Sequence, residues 1–170
     1  MTRILFVCHG NICRSPMAEF IFRKMCSENP VLRNMDIFIA SAATSGEETG
    51  NDIYPYARAK LKEKGIPFER RRARRITPDD YRQFDLLIGM DNANIRNMCR
   101  FFNEERRTDD IEARYREGKK IFCLSEFYGS NKGIADPWYT ENFELAYSDI
   151  ERGCRGLCGF LKKNRHCQSF

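Results

Sequence analysis

The sequence predicts a three-layer α/β fold, a four-stranded parallel sheet sandwiched between helices. Four short apolar runs, at residues 4–8, 37–40, 86–88 and 121–124, are rich in β-branched and aromatic side chains and lack polar alternation, as strands covered on both faces do. Amphipathic helical patterns separate them, so the order reads β-α-β-α-β-α-β-α, which right-handed crossovers convert into a parallel sheet. A chain of 170 residues with 42% hydrophobic and 31% charged residues suits one core and excludes a collagen, a rod or a disordered tail. Residues 1–166 are expected to form a single domain, with 167–170 a frayed tail.

Taken in order, the first run ends at Cys8 and leads into a helix with Met17, Phe20, Ile21 and Met25 on one face. Ser15 is expected as its N-cap and Pro16 as its first residue. A second helix over 54–64 stops at Gly65, with Lys60, Lys62 and Lys64 near its negative pole. The charged stretch 103–119 reads as a surface connection containing a short helix. A long C-terminal helix carries Phe143, Tyr147, Ile150, Cys154, Leu157, Cys158 and Leu161 on one stripe. The topology is doubly wound and flavodoxin-like, so ligands belong beyond the strands' carboxyl ends, in loops that begin at Cys8, Ser41, Met90 and Ser125.

Charge and cysteine usage narrow the function classes. The net charge of +5 is concentrated between residues 58 and 75, where nine basic residues face only Glu63 and Glu69. Such a run reads first as a solvated face and next as a patch steering anionic substrates. Nucleic-acid binding is not expected, because no stacking aromatics interleave with residues 70–75. No apolar run is long enough for membrane insertion and no export signal opens the sequence, so a cytoplasmic protein is expected. Its eight cysteines then read as reduced thiols: Cys154, Cys158, Cys99 and Cys123 fall on apolar stripes as packing residues.

Chemistry concentrates in the first loop, Cys8-His9-Gly10-Asn11-Ile12-Cys13-Arg14-Ser15-Pro16. Cys8 is the only cysteine with Arg six residues on, and it ends a strand just before a helix N-terminus. Successive backbone N–H groups of residues 8–15 can form a nest for inorganic phosphate or another oxyanion, reinforced by the helix dipole. Gly10 is expected to ease one turn of the loop, Asn11 to take a left-handed conformation and tie the loop with its amide, and Arg14 to clamp two oxygens. The same field favours the Cys8 thiolate.

A thiolate in an anion cradle suggests attack on phosphorus through a phosphocysteine, with neither metal nor cofactor required. One carboxyl can serve as acid and then base, and Asp136 in Ala135-Asp136-Pro137-Trp138-Tyr139 is the candidate, although an Asp-Pro pair is also an ordinary turn. Alternatives are a buried, inert Cys8 and a zinc site at Cys8, His9 and Cys13, the latter lacking a second ligand cluster. Nucleotide-binding glycine motifs are absent.

These residues resemble the low-molecular-weight protein tyrosine phosphatase family from end to end. The resemblance rests on residues 7–19, Ser41-Ala42-Ala43-Thr44-Ser45, Ala73-Arg74-Arg75-Ile76-Thr77, Phe84-Asp85, Met90-Asp91 and Asp136-Pro137-Trp138-Tyr139. It implies phosphotyrosine-containing protein substrates, Cys8 as nucleophile, Arg14 as transition-state clamp and Asp136 as acid then base. It further implies Asn11, Ser15 and Ser41 as the loop's hydrogen-bond network and a reversible Cys8–Cys13 disulfide under oxidation; loop packing is the other reading of Cys13. Glu47 stands where many relatives have an aromatic wall residue, leaving that wall to Trp138, with Tyr139 and His9 flanking. Simple lid packing is the alternative for Trp138 and Tyr139. Arg71 stands where relatives have a His near the loop network, and with Arg72 is expected to offset Glu47 at the rim. A protein arginine phosphatase carries Thr at the Ile12 position, so Ile12 argues for tyrosine. A thioredoxin-coupled arsenate reductase needs two further serial cysteines, and only Cys99 is near.

Overall fold

The computed structural model describes residues 1–164. The expected tail at 167–170 lies outside the described residues. Four strands, β1 (Thr2–Cys8), β2 (Ile37–Ala43), β3 (Leu86–Gly89) and β4 (Ile121–Cys123), pair in parallel in the order β2-β1-β3-β4. The chain steps one way from β1 to β2 and the other way to β3. That reversal opens a crevice beyond the carboxyl end of β1, where Cys8 stands.

The helices are α1 (Arg14–Glu28), α2 (Pro30–Arg33), α3 (Pro55–Glu63), α4 (Pro78–Gln83), α5 (Asn92–Phe102), α6 (Ile111–Arg116), α7 (Pro137–Thr140) and α8 (Phe143–Asn164). Alternation along β1 divides the core. Ile4, Phe6 and Cys8 face α1 and α8, while Leu5 and Val7 face the layer of α5. All are buried, as the unalternating run predicts. Helix α1 is buried on more than the expected face, because Ala18 and Phe22 are sealed as fully as Met17 and Ile21.

Helix α8 comes close to the 3₁₀ turn Leu124–Tyr128. A Cβ on Gly153 would lie 2.5 Å from Leu124 Cγ, and one on Gly156 would lie 2.2 Å from the Phe127 carbonyl oxygen. Two glycines on one helical face thus set the approach. Helix α3 ends as expected, with Gly65 at φ 65°. Strand β2 runs to Ala43 rather than 40 and so carries Ser41; β3 reaches Gly89, and β4 yields to the 3₁₀ turn at Leu124.

Two surface expectations are corrected. The 103–119 connection contains α6, yet Glu104 and Arg114 are buried. Glu104 accepts from the backbone N–H groups of Lys120 (3.0 Å) and Ile121 (3.1 Å) and from Tyr81 Oη (2.6 Å), satisfying donors at the start of the edge strand β4. Arg114 donates to Glu126 at 2.8 Å and lies over the Phe122 ring at 4.9 Å. Nor is the basic run simply a solvated face. Arg74 makes a two-pronged pair with Asp80 (2.9 Å each), and Arg71 turns inward.

The seven described cysteines are free thiols. Cys26, Cys154 and Cys158 pack in the main core. Burial pushes the Cys26 thiol up to about 12, so it is inert at neutral pH. Among the described residues no helix is long and apolar enough to cross a membrane.

Candidate active site

The 8–14 loop leaves β1 and enters α1 two residues earlier than expected. Cys13 occupies the N-cap position without a side-chain cap, Arg14 begins the helix, and Ser15 and Pro16 follow inside its first turn. Ser15 therefore caps nothing. Its Oγ lies 3.0 Å from Cys8 Sγ and accepts from Asn11 Nδ2 at 2.9 Å. The Asn11 backbone N–H also donates to Cys8 Sγ, at 3.3 Å. With Cys8 ionised, two donors converge on one sulfur at a helix N-terminus.

Asn11 holds the loop's one left-handed residue, φ 59°, as its short amide permits. Nδ2 also donates to Ser41 Oγ (2.9 Å), and Oδ1 accepts from Arg71 Nη2 (2.7 Å) and the Arg74 backbone N–H (3.2 Å). Ser41 passes its hydroxyl proton toward Glu19 (2.5 Å), and Arg71 Nη1 donates to the Asn11 carbonyl at 2.9 Å. Asn11, Ser15 and Ser41 thus form one buried network, as placed by the resemblance. Arg71 lies beneath the loop, in the expected network, and not at the rim, which corrects its expected role against Glu47; burial lowers its basicity, partly offset by Glu19 and Cys8. Gly10 eases the loop by the room it leaves, since a Cβ there would come within 3.1 Å of Glu48 Cγ, and the left-handed turn belongs to Asn11.

Arg14 is almost fully buried. Nη1 donates to Asp91 Oδ2 (2.6 Å) and the Ile134 carbonyl (2.9 Å), and Nη2 donates to Asp136 Oδ2 (2.6 Å). Each carboxylate uses its other oxygen as a helix cap, Asp91 on the Asn94 N–H (2.8 Å) and Asp136 on the Trp138 N–H (3.0 Å). Burial alone would lower the Arg14 guanidinium, but Cys8, Asp136 and Asp91 together hold it above its ordinary value. Its Nε is buried with no hydrogen-bond partner among the described residues. A donor so placed fits an anion in the loop.

Cys8, His9, Gly10, Ile12, Cys13, Arg14, Glu47, Glu48, Asp136, Trp138 and Tyr139 line a single crevice. Asn11, Ser15 and Ser41 sit behind it. Glu47 lies within hydrogen-bond distance of His9 Nε2, at 3.0 Å. Trp138 is half exposed and packs on Tyr54 (5.0 Å between ring centroids), and Tyr139 is 81% exposed. Burial raises the Cys13 thiol, with Cys8 and Asp136 adding to the shift. Asp91, which holds Arg14, and Glu48, which lines the crevice, are site residues that the sequence did not single out. Asp91 carried a signal, since it follows the third strand, where the fold predicts ligand loops. Among the described residues no group of three or more His, Cys, Asp or Glu could hold a metal ion.

A family model described as low molecular weight phosphotyrosine protein phosphatase matches residues 3–167. The human protein of that name is 34% identical over 163 residues, covering 94% of each chain. The low molecular weight protein-tyrosine-phosphatase YfkJ of Bacillus subtilis is 34% identical over 168 residues, 97% of this chain and 99% of that one. The YfkJ crystal structure superposes with a TM-score of 0.83 at 32% identity, covering 96% of both chains. A Drosophila arginine phosphatase superposes with a TM-score of 0.78 at 27% identity, covering 95% of this chain and 98% of that one.

Proposed function

The chain belongs to the low molecular weight phosphotyrosine protein phosphatase family, and is thus a phosphatase, a hydrolase; from that premise we propose that it removes phosphate from phosphotyrosine in proteins by way of a phosphocysteine on Cys8. The observation that carries the proposal is the pairing of Cys8 Sγ, held by Asn11 and Ser15, with the buried, unpartnered Nε of Arg14 in one crevice.

A phosphate dianion entering the loop competes with Asp136 for Arg14 Nη2 and takes the free Nε, which releases the Asp136 carboxylate to pick up a proton. The Cys8 thiolate then attacks phosphorus while the P–O bond to tyrosine breaks, and Asp136 gives its proton to the departing phenolate oxygen. Asp136, now ionised, takes a proton from water as the water oxygen attacks phosphorus. The S–P bond breaks, the electron pair returns to sulfur, and inorganic phosphate leaves. Arg14 and the loop N–H groups stabilise the charge that spreads over the equatorial oxygens. Trp138, packed on Tyr54, offers the substrate ring an apolar wall.

Ile12 supports tyrosine over arginine as the substrate, because it presents an apolar side chain to the crevice. Cys99 packs with the core on the face of the sheet opposite Cys8, which argues against serial thiol exchange of the arsenate reductase kind. The free thiols suit a reducing compartment, in keeping with a cytoplasmic enzyme. Rapid-quench trapping with a phosphotyrosine peptide in EDTA should find phosphate on Cys8. Cys8→Ser should bind vanadate without turnover. Phosphate never trapped on sulfur, or full activity in Cys8→Ser, would defeat the mechanism, and faster turnover of phosphoarginine than phosphotyrosine peptides would defeat the substrate assignment.

A further inference from the structure

Beside the crevice lies a second depression, and the two share a wall. The Thr44 N–H donates to the Cys8 carbonyl (2.9 Å) and the Ser45 N–H to the His9 carbonyl (3.0 Å), so the 44–46 backbone abuts the catalytic loop. On its other side Thr44, Gly46, Arg75, Asn97, Arg100 and Phe101 enclose an open groove. No carboxylate lines it. Arg75 and Arg100 are exposed, and neither makes an ion pair among the described residues.

Arg75 is also held in place. Its Nε donates to the Thr44 carbonyl at 3.2 Å and its guanidinium stands 5.9 Å from the Phe101 ring centre, so its terminal nitrogens are positioned at little further entropic cost. The shared wall carries no side chain at Gly46, where an added Cβ would meet nothing closer than 3.9 Å. The near rim of the crevice has the opposite character, because Glu47 and Glu48 stand there. A chain crossing the wall at Gly46 therefore passes from an acidic rim to two unpaired guanidiniums.

We propose that this groove is a secondary binding subsite for an acidic segment of the phosphoprotein substrate, engaging Asp or Glu side chains through Arg75 and Arg100. The proposal rests on the phosphatase reading for its substrate and on the groove's charge for its chemistry. The 44–46 backbone borders both depressions, and the proposal assigns the groove to acidic residues two to four positions from the phosphorylated residue, about 7–13 Å of extended chain. Exposed pairs of this kind are individually weak, and two acting together are expected to change kcat/KM by about 3- to 10-fold.

The test uses matched phosphotyrosine peptides carrying either Asp and Glu or Asn and Gln at those positions, with p-nitrophenyl phosphate as a substrate too small to reach the groove. Wild type should favour the acidic peptide, and 0.5 M NaCl should erase most of that preference. Arg75→Ala combined with Arg100→Ala should remove the preference while leaving p-nitrophenyl phosphate turnover unchanged. Fluorescence anisotropy of an unphosphorylated acidic peptide provides a readout independent of catalysis, with weak binding expected that the double variant loses. Equal kcat/KM for the two peptides in wild type, a preference surviving in the double variant, or peptide binding indifferent to both arginines would overturn the subsite. Failure of wild type to hydrolyse any of the three substrates would instead strike the phosphatase reading, and the anisotropy arm would still decide the groove.

Discussion

Removing the Arg71 side chain should cost both stability and turnover, although the residue touches nothing in the crevice. Its fork donates to the Asn11 carbonyl (2.9 Å) and to Asn11 Oδ1 (2.7 Å), and those bonds secure the residue at φ 59°. Charge-assisted hydrogen bonds contribute about 1.5–3 kcal/mol each. Burial penalises the Arg71 charge, as its lowered basicity records, so the net contribution falls below that sum, to about 2–3 kcal/mol. In Arg71→Ala, Asn11 Oδ1 keeps only the Arg74 N–H at 3.2 Å, and the left-handed turn, which costs about 1–2 kcal/mol, is no longer offset. If half of the loss appears as population of a relaxed loop, kcat on p-nitrophenyl phosphate falls about 10-fold, with urea melts showing the full destabilisation. Arg71→Lys restores a point charge without the fork and should lie between Ala and wild type. A positioning role predicts that kcat drops more than KM rises. Wild-type kcat and wild-type stability in Arg71→Ala would refute the reasoning, and a rise in KM alone would place Arg71 in substrate binding instead.

Three further perturbations probe other parts of the molecule. Asp136→Ala should lower kcat by about 10²-fold or more for aryl phosphates with poor leaving groups and less for p-nitrophenyl phosphate; it should also cost about 1 kcal/mol in urea melts through loss of the α7 cap. Gly156→Ala should destabilise the fold by about 3 kcal/mol despite the roughly 1 kcal/mol helix preference for Ala, because its Cβ would sit 2.2 Å from the Phe127 carbonyl oxygen; an unchanged thermal midpoint would contradict the packing of α8. Asp80 opposes its own burial by accepting from Arg74 and Thr77, which together hold its carboxyl below the ordinary 3.8. Its contribution is therefore complete above about pH 5 and lost as the pH falls through the lowered value, so the urea-stability gap between wild type and Asp80→Asn should be full at pH 7 and close toward pH 2.

The strands were legible because both of their faces are covered, which leaves an uninterrupted apolar run that polar alternation cannot mask. The long helices were legible through their stripes, and α3 through Gly65. Helices α2, α4 and α7, of four to six residues, were not, since one turn is too short to display a period. What makes α4 fold is local instead: Thr77 and Asp80 form a capping box around Pro78, and Asp80 then serves Arg74 as well. The buried charges Glu104 and Arg114 were unreadable for a different reason. Glutamate and arginine in a charged stretch look solvated until the partners, the β4 backbone and Glu126, are brought up from elsewhere in the chain.

The candidate site divides along the same line. Cys8, Asn11 and Arg14 lie within seven residues, so strand end, loop and helix start could be laid over one another from spacing alone. The carboxylates that orient Arg14 come from 77 and 122 residues away. Their common feature is the place each occupies, a helix N-cap, Asp91 at the carboxyl end of β3 and Asp136 beyond β4. An aspartate that caps a helix with one oxygen keeps a second one free and fixed in direction, and here both second oxygens converge on one guanidinium. Arg71 shows the converse case. A residue type suited to solvent was recruited beneath the loop because Asn11, in its left-handed turn, exposes a carbonyl and an amide oxygen side by side, and only a planar fork reaches both.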